Sequence, residues 1–293
     1  MKDPVLFYAE KLDFPDDAVE TLCAAGAALS TAGAPVAALW KQAGDALFEG
    51  SGDLWLTPLA QMAGQVPQVP RETADMVFLL AALPRLSDRY RAAGLPERLF
   101  WDAVADLRFK LLECRRVRGV WGTFVTDWFA GFYRLTRFAL GRLQFERRAF
   151  PLPSYGPLRE GDTVVACHIP SSGPLRPDDV TDAFRRARDF FPVGRVDGAF
   201  PLFCSSWLLY PPVSALFPAG SNLAKFAARF EIAAVVPTPE NPDVWRVFDR
   251  PYDPATVADL PDATMLQAAL KAYLLAGNCM GSGKGVIFLR DDA

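Results

Sequence analysis

The segment VVACHIPSSGPLRPDDVTDAFRRARDFF, residues 164–191, decides the fold. It reads as a buried strand, a loop of small residues and prolines, and an amphipathic helix. A strand, an open loop and a helix N-terminus in that order is an arrangement that holds phosphates, because free backbone N–H groups point at the ligand. The same segment carries His168, the one histidine among 293 residues.

Outward from this segment the pattern continues as strands alternating with helices. LGRLQFERRAF (140–150) alternates, with Leu143 and Phe145 on one face and Arg142, Gln144, Glu146 and Arg148 on the other. Further strands are expected at 202–210, 231–236 and 285–289, and helices at 121–137, 178–191, 221–229, 241–248 and 264–276. REGD (159–162) reads as a hairpin turn, and PLPSYGPLREGD (151–162) as a long hairpin loop, so the sheet starts antiparallel. The expected class is α/β (α+β) with a mixed sheet. Residues 1–118 differ, with helical periodicity over 16–32, 34–50, 73–94 and 96–119, punctuated by Pro35, Gly94 and Pro96. The reading is a helical N-terminal domain over 1–118 and a mixed α/β domain over 119–293.

Composition narrows the function. Half of the residues are hydrophobic (51%) and 22% are charged, ordinary for a globular chain. A net charge of −3 offers no footprint for nucleic acid. The five cysteines, at 23, 114, 167, 204 and 279, form no C-x-x-C pair, and one histidine cannot build a multi-histidine metal site. No metal is expected. No uncharged apolar run approaches the roughly 18 residues of a membrane span. MKDPVLFYAEKLDF has acids where a secretory segment needs apolar residues. The expected setting is the reducing cytoplasm, away from membranes.

Several residues are candidates for chemistry. His168 shares a strand face with Val164 and Ala166 while Cys167 faces away, so these two neighbours do not form a nucleophilic pair. At the C-terminal end of its strand, His168 suits a general base; the plain alternative is a buried histidine bonded to backbone. Ser171, Ser172 and Gly173 suit a pyrophosphate, although Asp178 and Asp179 in the first helical turn compete for the N–H groups there. GNCMGSGKGVIFL (277–289) is not a P-loop. Five residues separate Gly277 from Gly283 where the motif has four, Gly285 replaces the magnesium-binding Ser or Thr, and a helix precedes where a strand should. Gly277 is expected to end a helix and the other glycines to form a turn. FCSSWLLY sets Cys204 and Ser206 on one face and Ser205 and Trp207 on the other. Ser221 and Asn222 read as a helix cap. Glu146 is the best-placed carboxylate for a general base if its strand face lines a cleft.

Taken in order, Trp121–Gly122, LGRLQFE (140–146), HIPSSGPL (168–175), SSWLL (205–209), SN-x-x-x-F (221–226) and LKAYLLAGNCMGSGKGVI (270–287) resemble a bacterial family of acyltransferase domain-containing proteins. That family pairs a helical N-terminal domain with a GNAT-like C-terminal domain. The resemblance implies an N-acyltransferase that uses acetyl-CoA or another acyl-CoA, with the pyrophosphate on the loop between VVACHIP and the next helix. HIPSSGPL departs from the superfamily's usual loop pattern of Gln or Arg, two residues, Gly, one residue, then Gly or Ala. No catalytic residue therefore transfers by motif, and positions decide. His168 and Glu146 are the candidate bases, and Cys204 and Tyr210 the candidate acids for the leaving thiolate. Ser171, Ser172, Gly173 and Lys284 are the candidate CoA contacts, with a small-molecule or peptide amine as acceptor. The competing reading is a non-catalytic protein that keeps the fold and binds a ligand or partner.

Overall fold

The computed structural model describes residues 3–290. Residues up to Phe138 form one compact unit and those from Ala139 onward another.

The first unit contains α1 (Pro4–Lys11), α2 (Asp16–Thr31), α3 (Ala34–Glu49), α4 (Leu56–Gly64), α5 (Arg71–Ala92), α6 (Glu97–Val104) and α7 (Asp106–Arg118). The axis is α5, which is buried without a break from Thr73 to Leu80. A helix buried on every side must be wrapped by others, and α1, α2, α4, α6 and α7 pack on it. The periodicity over 96–119 that predicts one helix is divided at Ala105, which keeps helical dihedrals itself (φ −56°, ψ −24°). The helix expected over 121–137 does not form. Gly122 lies against the backbone of Glu72, where a Cβ would stand 2.3 Å from the carbonyl carbon. The chain continues instead as a 3₁₀ turn, Thr126–Phe129, and a single helical turn, α8 (Ala130–Tyr133). This segment is bound to α5: Thr73 Oγ1 donates to the Trp121 carbonyl at 2.8 Å and Tyr133 OH to that of Leu79 at 2.6 Å. Burial raises the Asp75 carboxyl above its ordinary value, and hydrogen bonds from Arg71 Nε and Thr126 Oγ1, both 2.6 Å, oppose the rise.

The second unit is built on a mixed sheet. Its elements are β1 (Arg137–Leu140), β2 (Leu143–Ala149), β3 (Ser154–Tyr155), β4 (Leu158–Arg159), β5 (Thr163–His168), α9 (Pro177–Phe190), β6 (Phe200–Ser206), α10 (Pro211–Ser214), α11 (Asn222–Ala227), β7 (Glu231–Pro237), α12 (Trp245–Phe248), α13 (Met265–Leu275) and β8 (Gly281–Leu289). Six strands run in the order β1-β2-β5-β6-β8-β7, and β3 and β4 form a separate hairpin. β5 is antiparallel to β2 and parallel to β6, while β8 is antiparallel to both β6 and β7.

Three strand boundaries differ from the expectation, each for a local reason. The strand read over 140–150 is split by Gly141–Arg142, with Gly141 at φ +73°, so Arg142 leaves the strand face. The strand read over 202–210 stops at Ser206, whose hydroxyl accepts from the Leu208 N–H and starts a 3₁₀ turn over Trp207–Leu209. The last strand begins at Gly281 rather than Gly285. Its glycines are strand residues because their Cβ space is taken: a Cβ on Gly283 would lie 2.0 Å from the Leu209 carbonyl oxygen, and one on Gly281 2.7 Å from the Tyr210 ring.

Alternation gives the sheet two distinct faces. One carries Phe145, Cys167, Cys204 and the three glycines of β8. On it Phe145 meets Phe184 of α9 edge-on at 6.3 Å, and Phe184 meets Phe230 at 6.2 Å. The other carries Val164, Ala166, Phe203 and Val286, packed with Phe150 and Leu158 into a core cluster. Beyond that cluster the same face turns polar. Among the described residues no single helix is long and apolar enough to cross a membrane.

Candidate active site

The polar end of that face is a row across the sheet. Gln144 of β2 is the register partner of His168 on β5. Ala166 pairs with Phe203, which sets His168 level with Ser205 two residues further along each strand. Ser205 in turn pairs with Lys284. His168 Nε2 lies 3.1 Å from Glu146 Oε1, and the two side chains are 19% and 16% exposed, sheltered yet reachable. Ser205 Oγ lies 2.9 Å from Ser282 Oγ. Ser205 is exposed although its strand is internal to the six-stranded sheet. Internal strands of mixed sheets are ordinarily covered, so an exposed serine there marks an uncovered strip.

Beside His168 the sheet is incomplete. The parallel ladder joins Val165 to Leu202 and Ala166 to Phe203, yet β5 continues to His168 and β6 to Ser206. Past that point the two strands no longer pair with each other.

The loop after β5 is held from behind. Arg142, in the β1–β2 turn, donates to the carbonyls of Pro170 at 3.0 Å, Gly173 at 2.5 Å and Pro174 at 3.1 Å. Burial lowers the pKa of this guanidinium, an effect opposed by Asp179. Gly173 has φ +116°, which favours glycine. With the carbonyls turned toward Arg142, the N–H groups of Ser172 and Gly173 make no hydrogen bond among the described residues. The N-cap of α9, Arg176, supplies no side-chain cap, so Asp178 and Asp179 stand in the first turn without closing it. The loop thus presents the donors that a pyrophosphate needs.

The structure brings Glu146 and His168 together and sets Lys284 in their row. Cys204 and Tyr210 are elsewhere. Cys204 is fully buried on the opposite face beside Cys167, and the Tyr210 ring packs on Gly281 of that face. Burial drives the Cys167 thiol well above its usual range, and its hydrogen bond to Cys204 adds to the rise. Two contributors escape a sequence reading. Arg142 looks like one more polar strand residue, although Gly141–Arg142 between alternating segments is a hairpin signal. Gln144 looks solvated, yet it is 2% exposed and its Oε1 has no hydrogen-bond partner among the described residues. Ser221 caps α11, accepting from the Ala224 N–H at 3.2 Å.

A helical unit followed by a mixed sheet whose parallel ladder is short, with an open loop after β5, is the architecture of a GNAT-like protein. The chain belongs to the GNAT-like C-terminal domain family, which it matches over residues 137–287, and residues 8–135 match the N-acyltransferase N-terminal domain. It is similar to a crystal structure of an acyltransferase with decanoyl-CoA and teicoplanin, with a TM-score of 0.74 and 22% identity over 96% of this chain and 86% of that one. An acyltransferase with decanoyl-CoA gives a TM-score of 0.73 and 25% identity over the same 96% and 86%. An acyltransferase with CoA and 10C-teicoplanin gives 0.74 and 22%, again over 96% and 86%. No curated protein matches the chain.

Proposed function

We propose that the protein moves an acyl group from an acyl-CoA to an amine on a small molecule or peptide. The observation that carries this reading is the Glu146–His168 pair at 3.1 Å, set at the end of a parallel ladder that stops short. The acyl-CoA bound by the similar acyltransferases gives the chemistry of the donor. Free N–H groups at Ser172 and Gly173 suit its pyrophosphate.

In this mechanism the thioester supplies an activated carbonyl: the C–N bond forms as the C–S bond breaks, and sulfur leaves with the electron pair. His168 takes the amine proton. In the tautomer that donates Nε2–H to Glu146, Nδ1 is the basic nitrogen, and the carboxylate steadies the imidazolium that forms. A backbone N–H on the strand past the β5–β6 ladder polarises the carbonyl oxygen. Cys204 and Tyr210 stand on the opposite face, so each serves as a thiolate acid only where sulfur reaches the opening between β5 and β6. All five cysteines are free thiols, which suits a reducing cytoplasm.

The test is a thermal-shift titration with CoA, acetyl-CoA and decanoyl-CoA, with ATP as control. A ligand at a hundred times its Kd adds about 2.7 kcal/mol of stability. A CoA-selective shift followed by thiol release with an amine supports the transferase. A shift without thiol release for any amine leaves a binding protein, and no shift removes acyl-CoA from the mechanism.

A further inference from the structure

We propose that Lys284, with Ser205 and Ser282, is a recognition site for an anionic group on the molecule that lies across the polar strip. This inference rests on the transferase reading, because it names the chemistry of a substrate at that same site. Lys284 and Ser205 are register partners, and Ser282, two residues before Lys284, turns to the same face and meets Ser205 at 2.9 Å between hydroxyl oxygens. Their common face is that of His168 and Glu146, set by the Ala166–Phe203 and Glu146–Ala166 pairs.

The charge of Lys284 has no counter-ion among the described residues. The two carboxylates nearest in register are committed elsewhere. Glu146 is engaged by His168 at 3.1 Å, and Glu231, on the adjoining strand β7, accepts from Tyr155 OH at 3.0 Å. Lys284 is only partly exposed and stands on an internal strand beside an uncovered serine. An ammonium that shares a strand face with two hydroxyls supplies donors suited to carboxylate or phosphate oxygens. Two strand spacings separate His168 from Lys284, about 10 Å before the lysine side chain shortens the gap. An acceptor with its amine at His168 and an acid several bonds away, as in a dipeptide, spans that interval. A phosphate of CoA has the same chemistry, and the test separates the two sources.

The probes are glycylglycine and glycylglycinamide as acceptors, and decanoyl-CoA and decanoyl-pantetheine as donors, with Lys284→Met and Lys284→Arg. Neither variant touches the Glu146–His168 pair. For an acceptor acid, Lys284→Met raises KM for glycylglycine about tenfold, leaves kcat and the amide's KM nearly unchanged, and Lys284→Arg restores most of the loss. For a CoA phosphate, Lys284→Met weakens decanoyl-CoA about tenfold and spares decanoyl-pantetheine. An independent readout is labelling of Lys284 by an amine-reactive reagent, mapped by peptide mass. Protection by N-acetylglycylglycine or by decanoyl-CoA, which carry no free aliphatic amine or thiol, supports the site even where no turnover is seen. Unchanged affinities together with labelling that neither ligand slows overturn it. A wild-type protein that binds no acyl-CoA yet shows protected Lys284 refutes the transferase reading alone.

Discussion

The two faces of the central sheet are made from the same strands and have opposite tasks. On one, Gly281, Gly283 and Gly285 admit Leu209, Tyr210 and Phe230 so closely that no Cβ fits, and Cys167 and Cys204 are sealed beneath. On the other, one residue along each strand, Glu146, His168, Ser205, Ser282 and Lys284 form a strip that reaches solvent. A period of two turns single-residue steps in sequence into this division. Close packing on the glycine face anchors the strands, while the strip carries groups that a ligand can reach.

The sharpest way to break the comparison is to substitute neighbours on β8. Gly283→Ala places a methyl 2.0 Å from the Leu209 carbonyl oxygen, against rigid backbone. Overpacking of that kind costs about 3 kcal/mol or more, so denaturant unfolding should show a large loss or no folded protein. Stability within about 1 kcal/mol of the parent would show that the glycine face is loose. Next in size is Glu146→Gln, which keeps shape and removes the charge that steadies His168. A charge-assisted bond worth about 1.5–3 kcal/mol sets a fall in kcat of about ten- to a hundredfold. Unchanged kcat would confine Glu146 to structure.

Arg142→Ala frees three carbonyls of the Pro170–Pro174 loop and leaves them to find water. A loss of about 2 kcal/mol in stability and weaker acyl-CoA binding are expected by calorimetry. Arg142→Lys should not rescue, because one ammonium cannot replace the planar fork across three acceptors. Full rescue by lysine would mean that charge alone positions the loop.

Much of this division is legible in the sequence, and its exceptions have identifiable causes. The alternation of VVACHI places His168 and Cys167 on opposite faces and that of LQFER sets Glu146 opposite Phe145, while only the β2–β5 register shows that Glu146 and His168 share a face. Arg142 fits the same alternation, but a two-residue turn overrides it and sends the side chain behind the loop. The glycines of β8 read locally as a turn; only the approach of Leu209, Tyr210 and Phe230, from distant positions, makes them strand. Tyr210 looks like a strand residue until Ser206 starts a 3₁₀ turn four residues earlier. Gln144 is polar and therefore reads as solvated, whereas its burial depends on neighbours that no local pattern reveals.

A smaller, graded effect comes from the buried acids. Burial pushes the Cys114 thiol from 9.0 up to about 12, and raises Tyr90 and Tyr133 as well. A raised pKa means that the native state holds its proton after the unfolded chain has lost it. This stability is complete below pH 9 and declines as pH rises toward 12. Cys167 acts in the same direction on the sealed face. Melting temperatures from pH 8 to 11 should fall steadily above pH 9, and Cys114→Ala should flatten part of the slope. A flat profile would mean that these groups open to water. Least of all, Lys284→Met should shift stability by no more than about 0.5 kcal/mol, as expected of a partly exposed side chain with no counter-ion among the described residues. A larger loss would give the polar strip a structural task.

The most direct test of the acid–base role of the polar strip compares wild type and His168→Ala in thiol release from decanoyl-CoA with an amine acceptor, while calorimetry follows decanoyl-CoA affinity. The expected result is unchanged affinity, an intact fold and turnover lowered about 10²–10⁴-fold. Turnover equal to wild type in a folded variant that binds acyl-CoA would contradict that role, and the chemistry would have to lie away from the polar strip.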